Sequence, residues 1–186
     1  MIRQTHWAHP LYKPMTPHPT RPPTSVSQWQ MPIQTPLGAM TLVACELGLQ
    51  GAWFEHQAHH PDISALPWGA SQPWLRLAKQ QLSEYFAGQR QQFDLPFQPY
   101  TGSEFQRKVW QAMAEIPFGR FASYADIARH LGQPKAARAI GMAVGRNPLS
   151  IFLPCHRVVA SDGALTGYAG GLERKIALLQ LEGSLL

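Results

Sequence analysis

The residues best suited to chemistry are Cys155 and His156, neighbours in Pro154-Cys155-His156-Arg157-Val158. The thiolate is the reactive form of cysteine, and a nearby imidazole can take the thiol proton directly or through one water. In a regular strand the two side chains would point to opposite faces. Pro154 and a following turn are expected to break that regularity, and a bridging water would keep the pair in reach. A base of this kind needs an orienting partner. Glu173 and Glu182 are both candidates on sequence alone. Asn147, ahead of Pro148, can hold the loop through its side-chain amide. Tyr168, between Gly167 and Ala169-Gly170-Gly171, offers a phenol donor where the backbone can approach a ligand closely. Cys45 is the internal comparison: it lies in the apolar run Thr41–Cys45 with no base nearby, and reads as core.

The elements that must position these residues fall into three stretches. Residues 1–28 hold six prolines, three histidines and little apolar periodicity, which predicts an extended or disordered tail. His6, His9 and His18 lack a cysteine partner or regular ligand spacing, so no metal site is assigned. In residues 29–100 the runs Met31–Thr35, Ala39–Ala44 and Leu49–Phe54 predict a small antiparallel meander. Trp74–Phe86 predicts a helix closed by Gly88, and Phe93–Phe97 a further strand.

From residue 101 the pattern is mostly helical. Ser103 can cap a helix with Phe105, Val109, Ala112, Met113 and Ile116 on one stripe, stopped at Pro117-Phe118-Gly119. Ser123-Tyr124-Ala125-Asp126 is a capping-box pattern opening a second helix that ends at Gly132. Pro134 then opens a third, Lys135–Val144, and this pair predicts a helix-turn-helix. A β-prone run, Ser150–Leu153, precedes the reactive pair, and Leu172–Leu181 is a last amphipathic helix. The fold class expected is α+β: a small N-terminal antiparallel-sheet module with a helix, then a mostly α, winged-helix-like C-terminal domain.

Charge is unevenly placed. Residues 1–28 carry three bases and no acid (+3), residues 29–100 three bases against five acids (−2), and residues 101–186 ten against six (+4). A basic C-terminal half suggests a polyanionic partner. The third helix has Lys135 and Arg138 near its start and otherwise mostly Ala and Gly. A major-groove reader shows several Arg, Asn or Gln at base-facing positions. A smooth helix with one long cation suits shape-based or minor-groove binding, with Arg138 free to reach into the stack. No apolar run approaches the roughly 18 residues of a membrane span, and the N-terminus lacks the apolar stretch of a secretory signal. Two cysteines 110 positions apart are no disulfide framework, so a reducing, cytoplasmic setting is expected.

Together these residues resemble the O6-alkylguanine-DNA alkyltransferases, or methylated-DNA–protein-cysteine methyltransferases. The resemblance runs from about Gln30 to Glu182 and is densest from Phe105. It rests on Pro-Cys-His-Arg-Val after Asn147-Pro148, on Gly167-Tyr168-Ala169-Gly170-Gly171, and on Tyr124 with Pro134-Lys135-Ala136-Ala137-Arg138-Ala139. It implies a ribonuclease-H-like module over residues 29–100 and a DNA-binding, alkyl-acceptor domain over 101–186. The implied activity is single-turnover transfer of the alkyl group from O6-alkylguanine, and from O4-alkylthymine, in duplex DNA to Cys155, after base flipping. No cofactor is implied, and the protein would act as a monomer. His156 would act through a water as base, Glu182 would orient it, and Asn147 would brace the turn. Tyr124 would crowd the 3′ phosphate while Arg138 fills the vacated space; Lys135, Ala137 and Ser123 would also meet DNA. Tyr168 would bond the base and help protonate the departing guanine, the carbonyls of Cys155 and Val158 would read its amine, and Ala169 and Lys175 would line the pocket.

The sequence departs from some relatives at Ala169, where they carry Ser; this predicts wider tolerance of bulky alkyl groups. Cysteine zinc ligands found in the N-terminal module of some relatives, and a fused zinc-bearing regulatory domain, have no counterpart here, as in the stand-alone form. A Cys–His hydrolase, a lesion-binding module that does not repair, and a winged-helix regulator with a packing cysteine are the competing readings. The reactive Cys155 argues against the second, and Tyr168 with its glycines is unexplained by the third.

Overall fold

A computed structural model describes residues 26–99 and 101–185. The predicted N-terminal tail lies almost wholly outside these residues, as do His6, His9 and His18. The described chain divides into two compact units. One holds the residues up to Thr101 together with Pro148–Phe152, and the other holds Gly102–Asn147 and the chain from Leu153 onward.

In the first unit, β1 (Gln28–Thr35), β2 (Gly38–Cys45) and β3 (Gly48–Phe54) form an antiparallel sheet in sequence order. Two-residue connections at Pro36-Leu37 and Glu46-Leu47 set the register, pairing Thr35 with Gly38 and Cys45 with Gly48. Strand β3 is buried along its whole length, and Cys45 is core, as its apolar run predicts. Helix α1 (Pro73–Phe86) begins at Pro73, whose fixed φ suits the first turn, and Gln72 caps it by accepting from the Leu75 N–H.

The predicted strand Phe93–Phe97 does not form. Buried Gln81 of α1 donates to the Asp94 carbonyl at 3.0 Å and accepts its N–H at 2.8 Å, taking both backbone groups that a ladder needs. Pro96 has no N–H, so what remains is one parallel bridge from Leu49 to Phe97. The run Ser150–Leu153 is likewise no strand. Pro148–Phe152 packs within the first unit, where the Ala52 N–H bonds the Pro148 carbonyl and Ser150 N–H the Ala52 carbonyl. Ile151 there holds φ at 73°, unusual for a β-branched residue.

In the second unit, α2 (Glu104–Ala114) opens with a reciprocal capping box between Ser103 and Gln106. Its buried face includes Trp110, absent from the predicted stripe; the indole N–H donates to the Ala143 carbonyl at 2.9 Å. A two-residue strand β4 (Ala122–Ser123) leads into α3 (Tyr124–His130), and the predicted capping box is present between Ser123 and Asp126. Helix α4 spans Ala137–Gly145, starting later than the predicted Lys135 because Pro134 and Lys135 form a turn and Ala136 is the N-cap. Strand β5 (Val158–Val159) pairs in parallel with β4, and α5 (Leu172–Leu181) closes the unit.

Candidate active site

The chain reaches the reactive residues through a backbone reversal. Pro154 precedes a single 3-10 turn, Cys155–Arg157, in which Arg157 N–H bonds the Pro154 carbonyl at 2.9 Å and Val158 N–H bonds that of Cys155. This is the break from strand geometry that the proline predicts. Strand β5 follows at once, and its pairing of Val158 with Ala122 sets the turn beside the first residues of α3.

Cys155 is buried, 5% exposed, and its Sγ accepts a hydrogen bond from Asn147 Nδ2 at 3.0 Å. The same amide nitrogen donates to the Leu153 carbonyl at 2.9 Å, so one side chain fixes both ends of the approach to the thiol. Burial pushes the Cys155 thiol pKa up; the Asn147 hydrogen bond and the Lys175 charge oppose that without reversing it. The resting sulfur is therefore a thiol, and it needs a base.

His156, the next residue in the turn, carries an imidazole held by a buried carboxylate. Its Nε2 lies 2.8 Å from Glu182 Oε1, both side chains fully buried. Arg157 grips the same carboxylate, Nε to Oε2 at 2.8 Å and Nη2 to Oε1 at 2.9 Å, while its Nη1 donates to the Ile116 carbonyl at 2.6 Å. The Gly119 N–H adds a fourth donor at 3.3 Å. Burial alone would raise the Glu182 pKa, but the His156 hydrogen bond and the charges of His156 and Arg157 together hold it well below the usual carboxylate range. An ionised carboxylate only accepts, so Nε2 carries the imidazole proton and Nδ1 presents a lone pair. Burial also lowers the His156 pKa, outweighing Glu182, so the ring is neutral. Nδ1 itself is buried and has no hydrogen-bond partner in the protein.

Of the two carboxylates open on sequence alone, Glu182 is thus the partner. Glu173 is exposed in the first turn of α5. The two are nine residues apart, which at about 100° per residue puts them on opposite sides of a helix.

Lys175 is fully buried, its Nζ donating to the carbonyls of Val158 at 2.6 Å and Thr166 at 2.9 Å. Burial lowers its pKa to about 8, with Cys155 opposing. It ties Thr166, within the 160–171 loop that carries half-buried Tyr168 and Ala169, to Val158 of β5. Tyr124, at the start of α3, points its hydroxyl toward the Thr166 carbonyl at 3.5 Å, and burial followed by the Cys155 charge raises its pKa.

The remaining predicted DNA-contacting residues divide in two. Lys135 and Arg138 are exposed and Ala137 half-buried at the start of α4. Ser123 caps α3, its hydroxyl bonded to Asp126 Oδ2 at 2.7 Å. Among the described residues no cluster of three or more His, Cys, Asp or Glu could hold a metal ion.

Two family models match the chain. "6-O-methylguanine DNA methyltransferase, DNA binding domain" covers residues 104–184, and the "ribonuclease-like domain" of the same family covers residues 32–99. The chain belongs to the 6-O-methylguanine DNA methyltransferase family. A methylated-DNA–protein-cysteine methyltransferase of Methanosarcina acetivorans is 44% identical over 154 residues, 81% of this chain and 96% of the relative. The constitutive one of Bacillus subtilis is 57% identical over 111 residues, 59% of this chain and 67% of the relative. Among solved structures, Mycobacterium tuberculosis OGT in complex with DNA superposes with a TM-score of 0.78 at 40% identity, covering 83% of this chain and 93% of that one. The α+β architecture read from the sequence is that of these methyltransferases.

Sequence reading assigned no role to Arg157. The signal was present as periodicity: Lys175, Leu178, Leu179 and Glu182 are all buried, the i, i+3, i+4, i+7 pattern of one helix face. A Lys and a Glu on a buried face each require a polar partner. Arg157, beside His156 in the motif, is the cation closest in sequence to the reactive pair.

Proposed function

We propose that this protein repairs DNA by moving the alkyl group of O6-alkylguanine, and of O4-alkylthymine, irreversibly to Cys155. The reading is carried by the tautomer that Glu182 imposes. With the proton on Nε2, the buried Nδ1 of His156 is left with its lone pair free to act as base toward the thiol of the preceding residue. Nδ1 takes the Cys155 proton through one water. The thiolate sulfur then attacks the alkyl carbon in line with the departing oxygen; the C–S bond forms, the C–O bond breaks, and its electron pair leaves with guanine. Guanine is a poor leaving group until protonated or hydrogen-bonded, and Tyr168 is the donor for that step.

Lesion recognition uses main-chain carbonyls. Those of Cys155 and Val158 each accept one bond already, from Val158 N–H and Lys175 Nζ. A carbonyl has two lone pairs, so each can also read an exocyclic amine. The target atom lies inside the duplex, so the nucleotide must be extruded. Tyr124 crowds the 3′ phosphate and Arg138 fills the space the base leaves. The thioether product is not turned over, so each molecule acts once, as a monomer without a cofactor, in a reducing cytoplasm that keeps Cys155 reduced.

The test is intact mass after mixing with one equivalent of duplex DNA carrying O6-methylguanine. One methyl per protein, saturating at one equivalent and absent in Cys155→Ala, is the expected result. No gain with DNA still bound would make this a lesion-binding module.

A further inference from the structure

Helix α4 carries more on its outer ridge than the reach of Arg138. Arg138 and Met142 of α4 and its C-cap residue Arg146 stand at i, i+4 and i+8, and all three are exposed. Met142 is 66% exposed, one of the few large apolar side chains so open among the described residues. No acidic residue lies between Lys135 and Arg146, so the ridge is a methionine with cations on both sides. Its flank is low: a side chain added at Gly141 would lie 3.9 Å from the Tyr124 ring, and one at Gly145 would meet nothing. The ridge and Tyr124 are therefore one continuous surface.

We infer that Met142 and Arg146 extend the DNA interface along α4, Met142 as an apolar wedge on the minor-groove floor and Arg146 as a phosphate contact on the far rim. This rests on the repair reading above, in which Arg138 enters the duplex. Met142, one turn behind Arg138, then faces sugar and base edges, where minor-groove proteins place apolar side chains. Arg146 is eight residues from Arg138, about 12 Å at 1.5 Å per residue. The minor groove is roughly 6 Å wide, so with the ridge laid across it a cation that far from Arg138 overlies a phosphate strand. An apolar wedge reads no donor or acceptor, so the contact suits a protein that must meet lesions in any sequence.

The two residues predict different signatures. The test is affinity for undamaged duplex DNA over a range of salt concentrations, for wild type, Met142→Ala, Met142→Gln, Met142→Leu and Arg146→Ala, with melting curves to confirm folding. Arg146→Ala is expected to weaken binding and reduce the slope of log affinity against log salt by about 0.9, one phosphate contact. Met142→Ala and Met142→Gln are expected to weaken binding about 3- to 10-fold with the slope unchanged, and Met142→Leu to retain it. Wild-type affinity in Met142→Ala and Arg146→Ala would overturn the inference. So would a Met142→Ala effect confined to sedimentation of the free protein, which would assign the ridge to self-association. Methyl transfer by the wild type, measured alongside, tests the repair reading separately.

Discussion

The Arg157 guanidinium and the Glu182 carboxylate meet fork to fork, at 2.8 and 2.9 Å, and His156 bonds the same carboxylate. The cation thus acts on the imidazole through the carboxylate. It keeps Glu182 ionised inside the protein, and an ionised Glu182 keeps the proton on His156 Nε2. Arg157→Ala leaves a buried carboxylate without its cation, which costs about 3–5 kcal/mol. Urea unfolding should show that loss. Arg157→Lys keeps the charge but not the fork, so it should fold and lose transfer rate, with the acid limb of the rate displaced to higher pH. An unmoved acid limb would reduce Arg157 to a structural role.

The acid limb of the wild type follows from His156. Its pKa is lowered from 6.5 by burial, so the folded protein keeps the ring neutral where the unfolded chain has begun to protonate. Transfer rate should hold as the pH falls through 6.5 and decline only below it. Stability obeys the same sign: the unfolded state binds more protons, so unfolding free energy decreases below pH 6.5. Glu182, with its pKa lowered from 4.5, adds stability that is complete above 4.5 and lost further into acid. Rate–pH and urea–pH series on one preparation check both.

Asn147→Asp is nearly isosteric but replaces the donor 3.0 Å from Cys155 Sγ with an acceptor. It should slow transfer more than Asn147→Ala does, because a carboxylate also opposes the thiolate. A loss of about 10- to 100-fold is expected from removing one buried donor. Equal rates for the two variants would show that Asn147 only holds the loop.

Lys175→Met removes the donor shared by the Val158 and Thr166 carbonyls. Leaving those acceptors unsatisfied should cost about 1–3 kcal/mol, read as a lower urea midpoint at unchanged m.

Ala169 stands half-buried in the loop Lys175 ties down. Ala169→Ser should slow transfer from benzylguanine oligonucleotides while leaving the methyl rate in place. Single-turnover rates on both oligonucleotides decide it.

The reactive turn was legible in the sequence because its parts are local. Pro154, Cys155 and His156 are consecutive, and the capping box of Ser123 and Asp126 lies within four residues. The choice between Glu173 and Glu182 was not legible from adjacency, since each lies more than fifteen residues from His156 and only the buried face of α5 separates them. The failed strand at Phe93–Phe97 has the opposite cause. Its residues have strand propensity, but Gln81, a polar residue in the middle of a helix, had already taken the Asp94 backbone. Propensity describes a residue's preference, and a distant side chain can claim the hydrogen bonds that preference needs. Helix α4 began late for a local reason: Pro134 fits a turn as well as a first helical position.

A nucleophile proposed to work once has a lifetime as well as a rate. Thiolates are what peroxide and stray electrophiles attack. Cys155 is enclosed, and its burial keeps the sulfur protonated between encounters. The same desolvation that obliges the protein to carry a base also shields the sulfur from background chemistry. The thiol is held in reserve, protonated and enclosed, until a base draws its proton.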